Sequence, residues 1–366
     1  MTATLAPPAL RWDGERLHVL DQTRLPAHEE VLVLESAEDT ARAIERLAVR
    51  GAPLIGIAAA FGLAMEVGRE PSPGALARGA ERLATCRPTA RNLAWAVERV
   101  RAAAVAAGPL PLASAARAAA EEIQREDAAA SAALAEHGAV LLNAALTRDA
   151  ASPSTPTGSS TPTDSSGDAA RRPVTVLTHC NSGCLAASGR GTGLGVIAAL
   201  ADRRPVRVLA CEARPLLQGA RLTVWELGRL GIDHALVVDA AAPGLIRTGQ
   251  VDAVVTGFDR VAANGDVANK VGTYGLALAA SAAGIPFVAA GPSSSVDTTL
   301  AGGDAIEIEE RGADEVRSAA GALLTVPGTP VRNPAFDVTP AALVWALVTE
   351  RGVARPVDAA SVAAVA

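Results

Sequence analysis

From Val174 onward the chain repeats one kind of unit, a short β-branched run followed by a helix-like segment, and this alternation constrains the fold more than any other feature. The runs are Val174–Thr178, Val206–Ala210, His234–Val238, Ala253–Thr256 and Pro286–Ala290. Short apolar runs with helical segments between most of them predict a parallel, doubly wound α/β sheet. In such sheets ligands bind beyond the carboxyl ends of the strands. Four polar clusters fall there. The first strand runs into His179-Cys180-Asn181-Ser182-Gly183, and the second into Cys211-Glu212-Ala213-Arg214-Pro215 with Gln218 close behind. The fourth runs into Phe258-Asp259-Arg260, then Asn264-Gly265-Asp266 and Asn269-Lys270, and the fifth into Gly291-Pro292-Ser293. Strand ends collect polar turn formers for structural reasons alone. A thiol, carboxylates, cations and amides at four of them together favour a site for an anionic small molecule.

The first half reads differently. Arg16–Leu20 and Val31–Leu34 are short strand-like runs; helical patterns rich in alanine then continue to about residue 148. Ser36 is placed to cap a first helix, with Asp39 completing a capping box and Gly51 ending it. Arg50-Gly51-Ala52-Pro53 and Arg87-Pro88-Thr89-Ala90-Arg91-Asn92 set arginine forks beside helix ends, where a phosphate could be gripped. These features predict a small N-terminal α+β domain, residues 1–125, followed by a Rossmann-like domain, residues 126–366. Residues 150–173 are dense in Ser, Thr, Pro and Gly, too polar to bury a core, and read as a linker or surface insertion.

Composition excludes several classes. A formal charge of −6, without a basic run or an aromatic stripe, argues against a nucleic-acid-binding protein. The longest uncharged stretch, between Lys270 and Asp297, is broken by Gly284-Ile285-Pro286 and reads as helix, turn and strand, not as a membrane span. Residues 1–12 carry no secretory pattern, and the 4 cysteines do not make a disulfide framework, so a cytoplasmic protein is expected. His179, Cys180, Cys184 and Cys211 invite a zinc reading, but no second close ligand pair exists, and no metal is expected. Gly189–Gly195 contains a near-dinucleotide fingerprint that stands too far beyond its strand. Lys270 is the only lysine among 33 basic side chains, which suggests a position a guanidinium cannot serve.

Taken together, several segments resemble the methylthioribose-1-phosphate isomerase family. They are Arg50–Gly56, Arg87-Pro88-Thr89 with Asn92-Leu93, Thr178–Asn181, Arg214–Thr223, Asp259-Arg260 with Ala262–Lys270, Pro292-Ser293-Ser294 and Asn333–Pro340. The resemblance covers nearly all of the chain outside 150–173. It implies an aldose–ketose isomerase of methionine salvage, converting a 5-substituted ribose 1-phosphate to the ribulose 1-phosphate. It implies Cys180 and Asp259 as the catalytic pair, with Arg50, Gly51, Ala52, Arg87, Gln218, Asn269 and Lys270 binding substrate. It further implies a cytosolic homodimer that needs no cofactor. The chain departs from the family pattern at Phe258, Arg190, Cys184 and the Cys211-Glu212-Ala213 segment. Phe258 and Arg190 are therefore candidates for reshaping the pocket toward another 5-substituent. A non-catalytic relative of the translation-initiation exchange factor and a nicotinamide-dependent dehydrogenase are the rival classes.

Overall fold

The computed structural model describes residues 8–87, 91–151, 172–319 and 321–366. The expected insertion at 150–173 falls almost wholly outside them, as do Pro88, Thr89 and Ala90.

The chain opens with an antiparallel meander of β1 (Leu10–Trp12), β2 (Leu17–Leu20) and β3 (Val31–Leu34). Five helices follow: α1 (Ala37–Glu45), α2 (Ala52–Arg69), α3 (Pro73–Thr85), α4 (Arg91–Ala107) and α5 (Leu112–Ala151). Ser36 caps α1 as expected, its Oγ accepting from the Asp39 N–H at 3.1 Å. The return bond differs, since Asp39 accepts from the Glu35 N–H and not from that of Ser36. The helix also stops before Gly51. Arg46 is its last cap, and Leu47 turns the chain at φ 62°. Gly51 begins α2 instead, at φ 99°, where a Cβ would lie 2.5 Å from the Cα of Ala186. Only glycine fits that position.

Helix α2 is apolar around most of its circumference, as a helix enclosed by others must be. It packs against α1, α3, α4 and α5. Together with α5 it is long and apolar enough to cross a membrane, but 72% of its span is buried within this chain.

The main sheet has seven strands in the order β16-β15-β10-β7-β4-β5-β6. They are β4 (Val174–Thr178), β5 (Val206–Cys211), β6 (Asp233–Val237), β7 (Ala253–Thr256), β10 (Phe287–Ala290), β15 (Ala346–Thr349) and β16 (Gly352–Ala354), and only β16 runs antiparallel. Strand β4 is buried at every position, the mark of a strand covered on both faces. Val176 faces a core shared with α5, α6 (Gly193–Ala201) and α7 (Val224–Leu230). Leu177 faces a second core with α8 (Ala242–Arg247), α9 (Thr273–Ala283) and α11 (Ala359–Val365). The five predicted strands are all present, with boundaries shifted by a residue at most.

A second sheet was not legible in the sequence. It comprises β8 (Arg260–Ala262), β9 (Val267–Lys270), β11 (Val296–Asp297) and β14 (Phe336–Thr339), in the order β11-β8-β9-β14. A short α10 (Asp314–Arg317) leads into the two-stranded ribbon of β12 (Ser318–Ala319) and β13 (Ala322–Leu323). Helix α5 runs unbroken through residue 125, and its partners change along it. Leu112, Ala116, Ala120 and Ile123 join the N-terminal core, whereas Leu134, Ala135, Ala139 and Leu142 pack on the main sheet.

Candidate active site

Strands β4 and β7 lie side by side, but the chain leaves them in opposite directions across the sheet: β5 and β6 build one half, and β10 and β15 the other. That reversal opens a crevice at the carboxyl ends of the two central strands. β4 delivers His179-Cys180-Asn181 to it and β7 delivers Phe258-Asp259. Arg50, Gly51, Ala52, Arg87, Cys180, Gln218, Asp259, Asn269 and Lys270 all line one pocket there. The N-terminus of α2 closes it from the other domain, with its first amides unpaired within the helix.

Cys180 is held in a left-handed conformation, φ 63°, which costs a non-glycine residue energy and needs support. Thr223 Oγ1 donates to the Cys180 carbonyl at 2.6 Å. The neighbouring Asn181 is gripped on every side. Arg50 donates to its Oδ1 and, at 2.9 Å, to its carbonyl. Asn181 Nδ2 donates in turn to Glu226 Oε1 at 2.6 Å. Glu226 also accepts from the backbone N–H of Cys184 at 2.7 Å and of Leu185 at 3.4 Å. This buried carboxylate therefore templates the whole loop after β4 and, through Asn181, the Arg50 guanidinium. Sequence reasoning passed over it. The available signal was a lone carboxylate within Leu222-Thr223-Val224-Trp225-Glu226-Leu227, where nothing else is charged.

Burial pushes the Asp259 carboxyl up, opposed by the charges of Lys270, Arg50 and Arg87. Burial pulls Lys270 down, opposed by Cys180 and Asp259. Lys270 Nζ donates to the Ala335 carbonyl at 2.8 Å and stands 4.7 Å above the Phe336 ring. Arg87 pairs with Glu309 at 3.1 Å, yet its Nε is buried without a partner. Gln218 Oε1 is likewise buried and unpartnered, while Asn269 Nδ2 donates to Thr273 Oγ1 at 2.9 Å. An unmet donor, an unmet acceptor, three cationic groups and a helix N-terminus suit a phosphorylated, hydroxylated ligand.

The family departures divide. Phe258 lines the pocket from a core position, its ring against Gly291. Arg190 does not line it; its guanidinium pairs with Asp202 at the surface, so it is not a determinant of the pocket. Cys184 packs against Glu226, and burial and that carboxylate push its thiol far up. The glycines of 189–195 allow close packing. A Cβ on Gly191 would lie 2.3 Å from Gly183, and one on Gly193 2.7 Å from Thr256.

The model of the Initiation factor 2 subunit family matches residues 48–356. A methylthioribose-1-phosphate isomerase of Anaeromyxobacter sp. is 47% identical over 96% of this chain and 94% of its own length. The crystal structure of 5-methylthioribose 1-phosphate isomerase from Pyrococcus horikoshii is 34% identical, with a TM-score of 0.83 over 99% of this chain and 96% of that one. A structure titled translation initiation factor eIF-2B, subunit delta, from A. fulgidus is also 34% identical, with a TM-score of 0.80 over 98% and 99%. The chain belongs to the Initiation factor 2 subunit family and, within it, to the methylthioribose-1-phosphate isomerase family.

Proposed function

We propose that this protein isomerises S-methyl-5-thio-α-D-ribose 1-phosphate to S-methyl-5-thio-D-ribulose 1-phosphate in methionine salvage, with Cys180 and Asp259 as the catalytic pair. The observation that carries the reading is the meeting of these two side chains, from β4 and β7, in one pocket with Arg50, Arg87 and Lys270.

The 1-phosphate locks the sugar as a glycoside, so no free aldehyde is available to enolise. The C1–ring-oxygen bond must break, a hydrogen must pass from C2 to C1, and the C2 hydroxyl must become a carbonyl. Burial pushes the Asp259 carboxyl up, which favours its acid form, and in that form it gives its proton to the ring oxygen as C1 is released. In the proton route Cys180 removes the C2 proton, forming an enol phosphate, and returns it to C1. In the hydride route the C2 hydrogen moves with its electron pair to the electron-poor C1. Both routes end with the C2 hydroxyl giving its proton back to the Asp259 carboxylate, so atoms and charge balance. Arg50 and Arg87 grip the phosphate as forks, Lys270 as a point charge, beside the α2 amides of Gly51 and Ala52. Gln218 and Asn269 meet the sugar hydroxyls. These groups supply the acid, the base and the cations themselves, and we expect no cofactor in the reaction. The reading includes a cytoplasmic homodimer and a domain boundary inside α5 near residue 125.

Purified protein is to be assayed for ketose formation from the methylthio sugar phosphate beside 5-deoxyribose 1-phosphate and ribose 1,5-bisphosphate. Preference for the first is expected; preference for another keeps the chemistry, moves the pathway and points to Phe258. Cys180→Ser and Asp259→Asn should each lower kcat by roughly 10²–10⁴-fold with little change in binding. The A. fulgidus structure supports a second reading, a non-catalytic regulator. Binding of all three sugars with turnover of none would favour it. Deuterium at C1 of product formed in D2O marks the proton route, with Cys180 exchanging the C2 proton for a solvent deuteron before it returns one to C1.

A further inference from the structure

Outside the residues given roles above, the carboxyl ends of three adjacent parallel strands converge on one point. His179 follows β4, Cys211 ends β5, and Asp239 lies just past β6. We propose that His179, Cys211 and Asp239 form a structural site for a thiophilic divalent cation, zinc above all.

Their ligand atoms lie within 4.8 Å of one another. His179 Nε2 is 2.8 Å from the Val271 carbonyl, which can only accept, so Nε2 carries the ring proton and donates. Nδ1 is then a bare lone pair. It has no hydrogen-bond partner, its side chain is 2% exposed, and it faces Asp239 Oδ1 at 3.9 Å. A buried acceptor without a donor is a cost that native proteins rarely carry unexplained. The Asp239 carboxylate is held by the N–H groups of Ala213 and Arg214, each at 2.8 Å, which leaves its other lone pairs free. A ring N–H on a carbonyl and a carboxylate on backbone N–H groups are the outer contacts that orient metal ligands.

Donor chemistry and charge agree. Imidazole, thiolate and carboxylate are the ligand set zinc takes, and one thiolate with one carboxylate neutralises a dication. Zinc–ligand bonds of about 2.0–2.3 Å set tetrahedral ligand atoms about 3.5 Å apart, so the widest separation here closes by up to roughly 1.3 Å when the ion binds. Asp239, with 30% of its side chain exposed, opens the site to solvent, and water takes the fourth position. The ion would staple three strand ends immediately beneath the strained Cys180. Spacing alone paired His179 and Cys211 with Cys180 and Cys184; the sheet order replaces both with Asp239, which local sequence could not supply.

The test uses the full chain, freed of metal by a chelator and titrated with cobalt(II), and elemental analysis of protein purified without chelator. About one zinc per chain is expected, with tetrahedral visible bands and a near-ultraviolet thiolate band in the cobalt form. Cys211→Ser, close in size and buried in the same place, should lose the thiolate band and weaken zinc retention at least tenfold. Cys211→Ala guards against a serine that disturbs the core. No metal uptake by the unsubstituted protein would overturn the proposal. So would a thiolate band that survives in both variants, or sub-stoichiometric zinc that neither variant changes.

Discussion

Glu226→Gln removes one charge and no bulk, and its cost follows from who surrounds the carboxylate. Every neighbour in contact is a donor: Asn181 Nδ2 at 2.6 Å, the Cys184 N–H at 2.7 Å and the Leu185 N–H at 3.4 Å. A glutamine keeps one acceptor oxygen and turns an NH2 toward one of these donors. Stranding a buried donor costs about 1–3 kcal/mol, and the misplaced amide loses a similar amount. Relief from burying a charge, the same burial that pushes the Glu226 carboxyl up, offsets part of this. A net loss of roughly 2 kcal/mol is expected. Asn181 then loses its anchor, and the Arg50 guanidinium loses its fixed partner. If Arg50 grips the phosphate, KM should rise about tenfold, which corresponds to roughly 1.4 kcal/mol. Urea unfolding followed by circular dichroism reads the first quantity and steady-state kinetics the second. A Glu226→Gln protein within about 0.5 kcal/mol of the parent, with unchanged KM, would refute the reasoning. It would mean that a protonated Glu226 already fills this place and that the loop holds itself.

Asp259→Asn should raise the melting temperature while it removes activity. A carboxyl whose folded pKa is raised binds a proton in the folded chain that the unfolded chain has released. Stability is thus lost as pH rises from the ordinary carboxylate range through the raised value, and asparagine escapes that loss. The gain should be absent near pH 3 and grow toward pH 8 in thermal melts; a gain that shrinks with pH would contradict the burial argument. Deleting residues 152–170, which composition assigns to an insertion, should leave turnover intact; a folded but inactive deletion would count against that assignment.

Much of the site was legible because its members sit in compact local patterns. His179-Cys180-Asn181 and Phe258-Asp259 follow apolar runs that had to be strands, and strand ends of a parallel sheet are where ligands bind. Gly51 was read as the end of one helix and is the start of the next. Its role depends on Ala186, far along the chain, whose backbone leaves no room for a Cβ. The second sheet escaped notice because its strands are only 2–4 residues long and pair mostly with distant partners.

Sequence by itself determined the alternation of strands and helices, the polar clusters at the strand ends, and the motifs that carry the family. Those are properties of neighbours along the chain, set by side-chain period and turn chemistry. Only the tertiary structure decided that β4 lies between β5 and β7, which puts Cys180 across a crevice from Asp259 and sets His179 beside Cys211 and Asp239. It alone decided that Glu226 reaches back to hold Asn181. Strand order and buried polar contacts depend on how two apolar faces are covered at once, and that is a balance struck over the whole chain, not within any short window of it.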